Sequence, residues 1–157
     1  MDPRNVEWIR VVTVGARSAD HIWPEMAACE AALESGFGSS ALAREGNNLF
    51  GMKQHKHPIY GTMVLPTREY IDSEWKVEDA GWIKYPSIEE CFEDRMNTLT
   101  RLKSMYPHYQ NALRSDNVET YIEEVSQTWS TDPERAQKVM EIYDAYNASL
   151  VGPQGAI

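Results

Sequence analysis

Glu34 lies at the end of a helical run with Gly36 and Gly38 close behind it, in the stretch ACEAALESGFGSSALAREGNNLFGMK that spans residues 28–53. A carboxylate at a helix C-terminus meets the negative end of the macrodipole, roughly half an elementary charge. Glu30, one turn earlier on the same side, adds like-charge repulsion. Both effects favour the protonated carboxyl, and a carboxyl that keeps its proton near neutral pH is what a general acid requires. An ordinary exposed glutamate at a helix end is the plainer alternative, and these residues alone favour it. Gly36 and Gly38 permit the close backbone approach that a cleft floor needs, and equally stop a helix. Asn47 and Asn48 each carry a donor and an acceptor suited to sugar hydroxyls or amides, and suited equally to a turn.

A second supply of carboxylates lies downstream. Glu69, Asp72, Glu74, Glu78 and Asp79 are interleaved with Tyr70 and Trp75 and flanked by Tyr60, Trp82 and Tyr85. Aromatic faces beside carboxylates suit sugar rings, although in a small sheet such residues more often pair across strands. One of these acids together with Glu34 makes the pair that glycoside hydrolysis uses. His55 and His57 sit beside lysines and Pro58 in a loop-like context, so no metal site is expected there. Nucleophile-elbow, Walker A, dinucleotide-fingerprint and paired-cysteine motifs are missing from the sequence, and no cofactor is expected.

The elements that must position these residues follow from pattern. At 157 residues, 42% hydrophobic and 25% charged, the chain fits one domain with its own core. Asp2 and Pro3 open a helix ending near residues 15–17. SADHIWPEMAACEAALES predicts a second, with Ile22, Met26, Cys29 and Leu33 as its apolar stripe, and SSALARE a short third stopped by Gly46. From Met52 to Tyr85 the helical period gives way to Thr, Tyr, Val and Trp with Pro and Gly punctuation, which predicts an antiparallel β region with strands near 62–72 and 74–84. Ser87 and Glu90 form a capping-box pair that restarts helix, and Arg95 or Met96, Leu99 and Leu102 continue its stripe. A short helix after Pro107, one capped by Asp116 and one opened by Asp132 and Pro133 complete an α+β domain over residues 1–150, and 151–157 are expected to form a flexible tail. Cys29 and Cys91 read as buried free thiols. The net charge of −9 argues against nucleic acid as a partner, and no apolar run approaches the roughly 20 residues of a membrane span.

AALESGFGSSALAREGNNLFGMK closely resembles the signature of the glucosaminidase domain, glycoside hydrolase family 73. PTREYID, YPSIEECFEDRMNTL and TWSTDPERAQKV resemble later motifs of that family in the expected order. The resemblance covers residues 6–147. It implies a lysozyme-like fold, a mainly helical lobe with the small β insertion of residues 58–85 forming one wall of a cleft. It implies peptidoglycan glycan strands as substrate and cleavage as an endo-β-N-acetylglucosaminidase. Glu34 matches the catalytic glutamate, a general acid, and Glu69 the second carboxylate, with Asp72 and Glu74 as rivals close in sequence. Ser39, Asn47, Asn48, Phe50, Lys53, Tyr70, Trp82 and Trp129 are implied substrate contacts. Two positions depart from the family: Phe37 replaces a frequent Trp, and Trp129 a usual Tyr. An indole has no phenolic proton to transfer, so another residue, such as Tyr70, would take over any such role.

The resemblance and the absence of a signal-like N-terminus together predict a phage endolysin: made in the cytoplasm, acting on the cell wall, monomeric and not inserted in a membrane. Inversion or assistance by the substrate's N-acetyl group is expected rather than a covalent enzyme adduct. The rivals are a lysozyme-like muramidase or lytic transglycosylase and, from another class, an inactive wall-binding module. NNLFGMK lacks the Gly-Leu-Met-Gln element of transglycosylases, and intact Glu34 and Glu69 argue against the binding module.

Overall fold

A computed structural model describes residues 1–55 and 59–155, with side chains through residue 151 except that of Glu69. The order is α1 (Pro3–Ser18), α2 (Pro24–Ser35), α3 (Ala41–Gly46), β1 (Gly61–Ile71), β2 (Glu74–Lys84), α4 (Ile88–Leu102), α5 (Pro107–Leu113), α6 (Val118–Trp129) and α7 (Arg135–Gly155). Asp2 caps α1 by accepting from the Arg4 amide at 2.8 Å, with Pro3 at the first position. The second helix starts at Pro24 rather than at residue 18. Asp20 and Trp23 take left-handed φ values of 55° and 46°, and Pro24, which cannot donate to an earlier turn, opens the helix. Ile22 therefore belongs to the turn and not to the stripe.

α2 is the centre of the domain. Met26, Ala27, Ala28, Cys29, Ala31 and Ala32 are all buried, so almost every side of the helix faces protein, and α1 and α7 pack against it. Its alanines let those helices approach closely. α2 ends at Gly36, which caps in the left-handed conformation (φ 57°) and donates to the Ala32 carbonyl. Phe92, Leu99, Tyr121, Ile122, Val125 and Val139 from α4, α6 and α7 complete the core. Cys29 and Cys91 are free and buried, and burial pushes both thiols up to about 12.

Ser87 caps α4, accepting from the Glu90 amide at 3.2 Å. Asn117, not Asp116, caps α6; its backbone is extended and its side chain accepts from Thr120 at 2.8 Å. Asp132 does so before α7, accepting from the Glu134 amide at 2.9 Å. α7 runs through the segment expected to form a tail, to Gly155. Among the described residues no helix is long and apolar enough to cross a membrane.

The two predicted strands form one antiparallel hairpin, in register from Gly61↔Lys84 to Ile71↔Glu74. Asp72 and Ser73 make the two-residue turn, both at positive φ (52° and 65°), as a hairpin of this twist requires. Only the base of the hairpin is packed. Ile83 is buried, whereas Val64, Tyr70, Trp75 and Val77 are exposed, so the tip projects from the helical body. The loop after α3 clamps that base: Ile83 donates its amide to the Met52 carbonyl at 3.1 Å, Tyr85 donates to Gly46 at 2.8 Å, and Lys53 bridges to Trp82.

Candidate active site

Glu34 lies in the last turn of α2, and its side chain keeps 26% of its surface accessible. The repulsion expected from Glu30 is not what surrounds it. Glu30 is fully buried and bound by two arginines: Arg95 donates to both its oxygens at 2.8 and 3.0 Å, and Arg135 to Oε1 at 2.9 Å. Tyr121 adds a donated bond to Oε2 at 2.6 Å. Burial alone would push the Glu30 carboxyl up, but the two guanidinium groups and the bonds from Arg95 and Tyr121 outweigh it and hold the group down at about 2. Arg135 also donates from Nε to Glu34 Oε1 at 2.9 Å and from Nη1 to Ser126 Oγ at 2.8 Å. Arg95 and Arg135 thus converge on the buried Glu30 carboxylate, and Arg135 carries the network on to Glu34, across α2, α4 and α7. A charge left unpaired at the depth of Glu30 would cost several kcal/mol, roughly 3–5 on removal of one partner.

The other end of this network lies under an aromatic surface. The Arg95 guanidinium packs in the corner between Phe50 and Trp129, 4.4 and 4.2 Å from the two ring centroids. Its Nε is buried and has no hydrogen-bond partner among the described residues. Phe50 and Trp129 meet edge to face at 6.1 Å, and Tyr109 packs against Trp129 at a tilt of 53°, with centroids 6.2 Å apart. Together with Gly51, Met52 and Lys53 these rings line a cavity of about 310 Å³. A second depression of about 470 Å³ runs along the junction of α6 and α7, lined by Ser126, Thr128, Ser130, Thr131 and Asp132. Glu34 therefore sits at the exposed end of a fixed ionic network that also underlies an aromatic groove.

The other residues singled out in the sequence separate into two groups. Phe50, Lys53 and Trp129 line the groove, and Trp82 stands beside Lys53, whose ammonium lies 5.7 Å above the indole. Asn47, Asn48 and Ser39 hold backbone. Asn48 is 1% exposed; its amide nitrogen donates to the Met52 and Ile83 carbonyls, both at 2.9 Å, and its oxygen accepts from the Met52 amide. Asn47 caps α3 in the left-handed conformation and donates to Tyr85 O at 3.1 Å. Ser39 donates to Gly36 O at 2.7 Å in the turn after α2. Tyr70 stacks on Trp75 at 5.2 Å near the hairpin tip, and the register places it in the set of Val64, Arg68 and Val77, not in that of Met63 and Trp82. The backbone of Glu69 pairs with Lys76 in β1; its side chain lies outside the described residues. His57 lies outside them too, and among those described no three His, Cys, Asp or Glu side chains gather as a metal site.

Sequence reasoning missed the buried network itself: Glu30, Arg95, Arg135, Tyr121 and His21. A signal was present. Glu30 interrupts an otherwise alanine-rich buried helix, and Arg95 occupies a stripe position that Met96 competes for. Charges at core positions on two helices are the mark of a buried pair.

A helical lobe whose central helix ends in a network-held glutamate, with an aromatic groove over the far end of the same network and a projecting hairpin, has the architecture of a lysozyme-like glycoside hydrolase domain. Comparison with known proteins agrees. The family model described as mannosyl-glycoprotein endo-beta-N-acetylglucosaminidase matches residues 14–148, and the chain belongs to this glucosaminidase family. An autolysin of Enterococcus faecalis is 30% identical over 135 residues, covering 82% of this chain and 18% of that protein. A Lactococcus lactis protein named "Probable N-acetylmuramidase" is 30% identical over 152 residues, covering 90% of this chain and 33% of its own length. The chain thus spans a third or less of these two relatives. The catalytic domain of an autolysin from Listeria monocytogenes has the same fold, with a TM-score of 0.79 at 24% identity over 96% of this chain and 88% of that one.

Proposed function

We propose that this domain hydrolyses bacterial peptidoglycan as an endo-β-N-acetylglucosaminidase, cutting the β-1,4 bond between N-acetylglucosamine and N-acetylmuramic acid. Glu34 is the general acid and Glu69 the base or electrostatic stabiliser. The observation that carries the reading is Glu34 itself: part-exposed at the end of a buried helix, with Oε1 engaged by Arg135 at 2.9 Å, inside the segment matched by the family model. Its other oxygen has no protein partner among the described residues and is the one available to the glycosidic oxygen. The rings of Phe50, Trp129 and Trp82 suit the C–H faces of sugars, and Lys53 suits a carboxylate on the muramyl unit or its stem. Ser39 and Tyr70 are substrate contacts of a longer glycan, whereas Asn47 and Asn48 act by fixing the loop that carries Phe50 and Lys53.

Glu69 on the projecting hairpin supplies the opposite face of the bond. A separation of about 6.5–9.5 Å between the two carboxyls leaves room for water and inversion, and about 5–5.5 Å a covalent intermediate. We take inversion or assistance by the substrate's N-acetyl group as the mechanism. The biological setting we propose is host lysis by a phage endolysin, monomeric and acting at the wall; cytoplasmic expression with and without a membrane-permeabilising protein tests it.

The deciding experiment is product analysis. Purified peptidoglycan is digested with the wild type and with Glu34→Gln, reduced with borohydride and read by mass spectrometry. Reduced N-acetylglucosamine ends that vanish in Glu34→Gln are expected. Reduced muramic ends would support a muramidase, the activity in the name of the Lactococcus relative. Anhydro-muramic ends would mean a transglycosylase, and no cleavage by the wild type a binding module.

A further inference from the structure

Arg135 is 1% exposed, and each of its three nitrogens donates to a different acceptor: Nε to Glu34 Oε1, Nη1 to Ser126 Oγ and Nη2 to Glu30 Oε1. Glu30 and Ser126 alone would satisfy a merely structural arginine at both Nη atoms. The third bond leaves the core and ends on the one part-exposed carboxylate of the set. We propose that Arg135 is a positioning residue for the reaction: it fixes which oxygen of Glu34 faces the substrate and in what direction. The inference rests on the reading of Glu34 as the general acid.

The geometry makes the constraint strong. A planar guanidinium bound at three corners cannot turn without breaking a buried hydrogen bond and leaving its partner unsatisfied. Two of those corners are anchored to α2 and α6, and Arg135 itself opens α7, so three helices fix the plane from which Nε–H points. Glu34, in contrast, is the last-turn residue of its helix with three side-chain torsions and a surface only partly covered. Without Nε–H its carboxyl would sample several rotamers, of which one presents a free oxygen correctly. A lysine keeps the charge but is a point donor that cannot point three ways.

The test measures kcat and KM on solubilised glycan strands, with Tm alongside, for four variants. Arg135→Lys is expected to lose about 100-fold in kcat, the scale of a misplaced catalytic group, with KM changed by less than about threefold. Ser126→Ala removes one anchor of the guanidinium without touching Glu34, and an approximately 10-fold loss in kcat with a small change in Tm is expected. Tyr121→Phe is the stability control: it removes one of two donors to the far oxygen of Glu30 and one acceptor of Arg95, and touches neither Arg135 nor Glu34, so Tm falls while kcat stays within about twofold. If Arg135→Lys does not fold, Ser126→Ala and Tyr121→Phe still decide the matter. Wild-type kcat in Ser126→Ala or in a folded Arg135→Lys, or a Tyr121→Phe loss in step with its Tm, would overturn the proposal. Glu34→Gln separates the two layers: if it is active, the acid assignment fails and this inference with it; if it is inactive while Arg135→Lys is not, only the positioning role fails.

Discussion

At the scale of single residues, His21 sets an acid limit on the fold. It is buried at 3% exposure; Nδ1 lies 2.7 Å from the Ile22 carbonyl and Nε2 3.3 Å from Arg95 Nη1. The first nitrogen must therefore donate and the second accept, which defines a neutral imidazole in one tautomer. Burial, and then the Arg95 charge, lower its pKa from 6.5 to about 4. Between those two values the unfolded chain binds a proton that the folded one refuses. Stability is thus complete above pH 6.5 and falls as the pH drops toward 4, by about 3 kcal/mol over that window. Denaturant melts at pH 7, 6, 5 and 4.5 are expected to show this slope in the wild type and a shallower one in His21→Gln. An equal slope in both would assign the acid sensitivity elsewhere. Glu30 adds its own loss only below its ordinary 4.5, as the pH approaches about 2, so the two effects separate on the pH axis. Nothing in the pattern around His21 announced this role, because its partners, Arg95 on α4 and Glu30 on α2, are 74 and nine positions away.

At the scale of elements, periodicity and caps reveal most of the helices and the hairpin, while what locks them together is not local. α1, α3, α4 and both strands follow from Asp2, Ser40, Ser87 and the Thr- and aromatic-rich run, since capping and strand preference act over a few residues. The start of α2 was misread because its apolar stripe can be extended back across Trp23 and Pro24, and only Pro24's lack of an N–H breaks it. Glu34 was legible as a candidate, but for the wrong electrostatic reason: the sequence shows Glu30 one turn away, and only tertiary structure shows Arg95 and Arg135 absorbing its charge. That correction makes a prediction about the elements. Glu30→Gln keeps the shape of the side chain but leaves two buried guanidinium groups with one shared carboxylate fewer, where α2, α4 and α7 meet. A stability loss of about 3–5 kcal/mol is expected from chemical denaturation. A loss below about 1 kcal/mol would mean that water or rearranged partners replace the carboxylate at little cost.

At the scale of the whole molecule the charge is both large and uneven. The net value is −9; residues 115–157 carry eight acids against two bases, whereas residues 44–84, which include the hairpin and the groove loop, carry six of each. A basic lysin is drawn to an anionic wall by its overall field, and salt then weakens it by screening beyond about 10 Å at 0.1 M. Here the overall field repels such a wall, and on the proposed reading attraction is left to short-range contacts with Phe50, Trp129 and Lys53 of the groove and Trp82 beside it. Screening removes the long-range repulsion and touches the close contacts little. The rate of wall lysis is therefore expected to stay level or rise as salt goes from about 0.02 to 0.2 M, in a turbidity assay at constant pH. A steep fall over that range would place a cationic docking surface in control of binding, and α6 and α7, with their acidic excess, could not supply it. The search would then move to the balanced middle of the chain, where Lys53, Arg68 and Lys76 are the bases that single charge-removing substitutions would test.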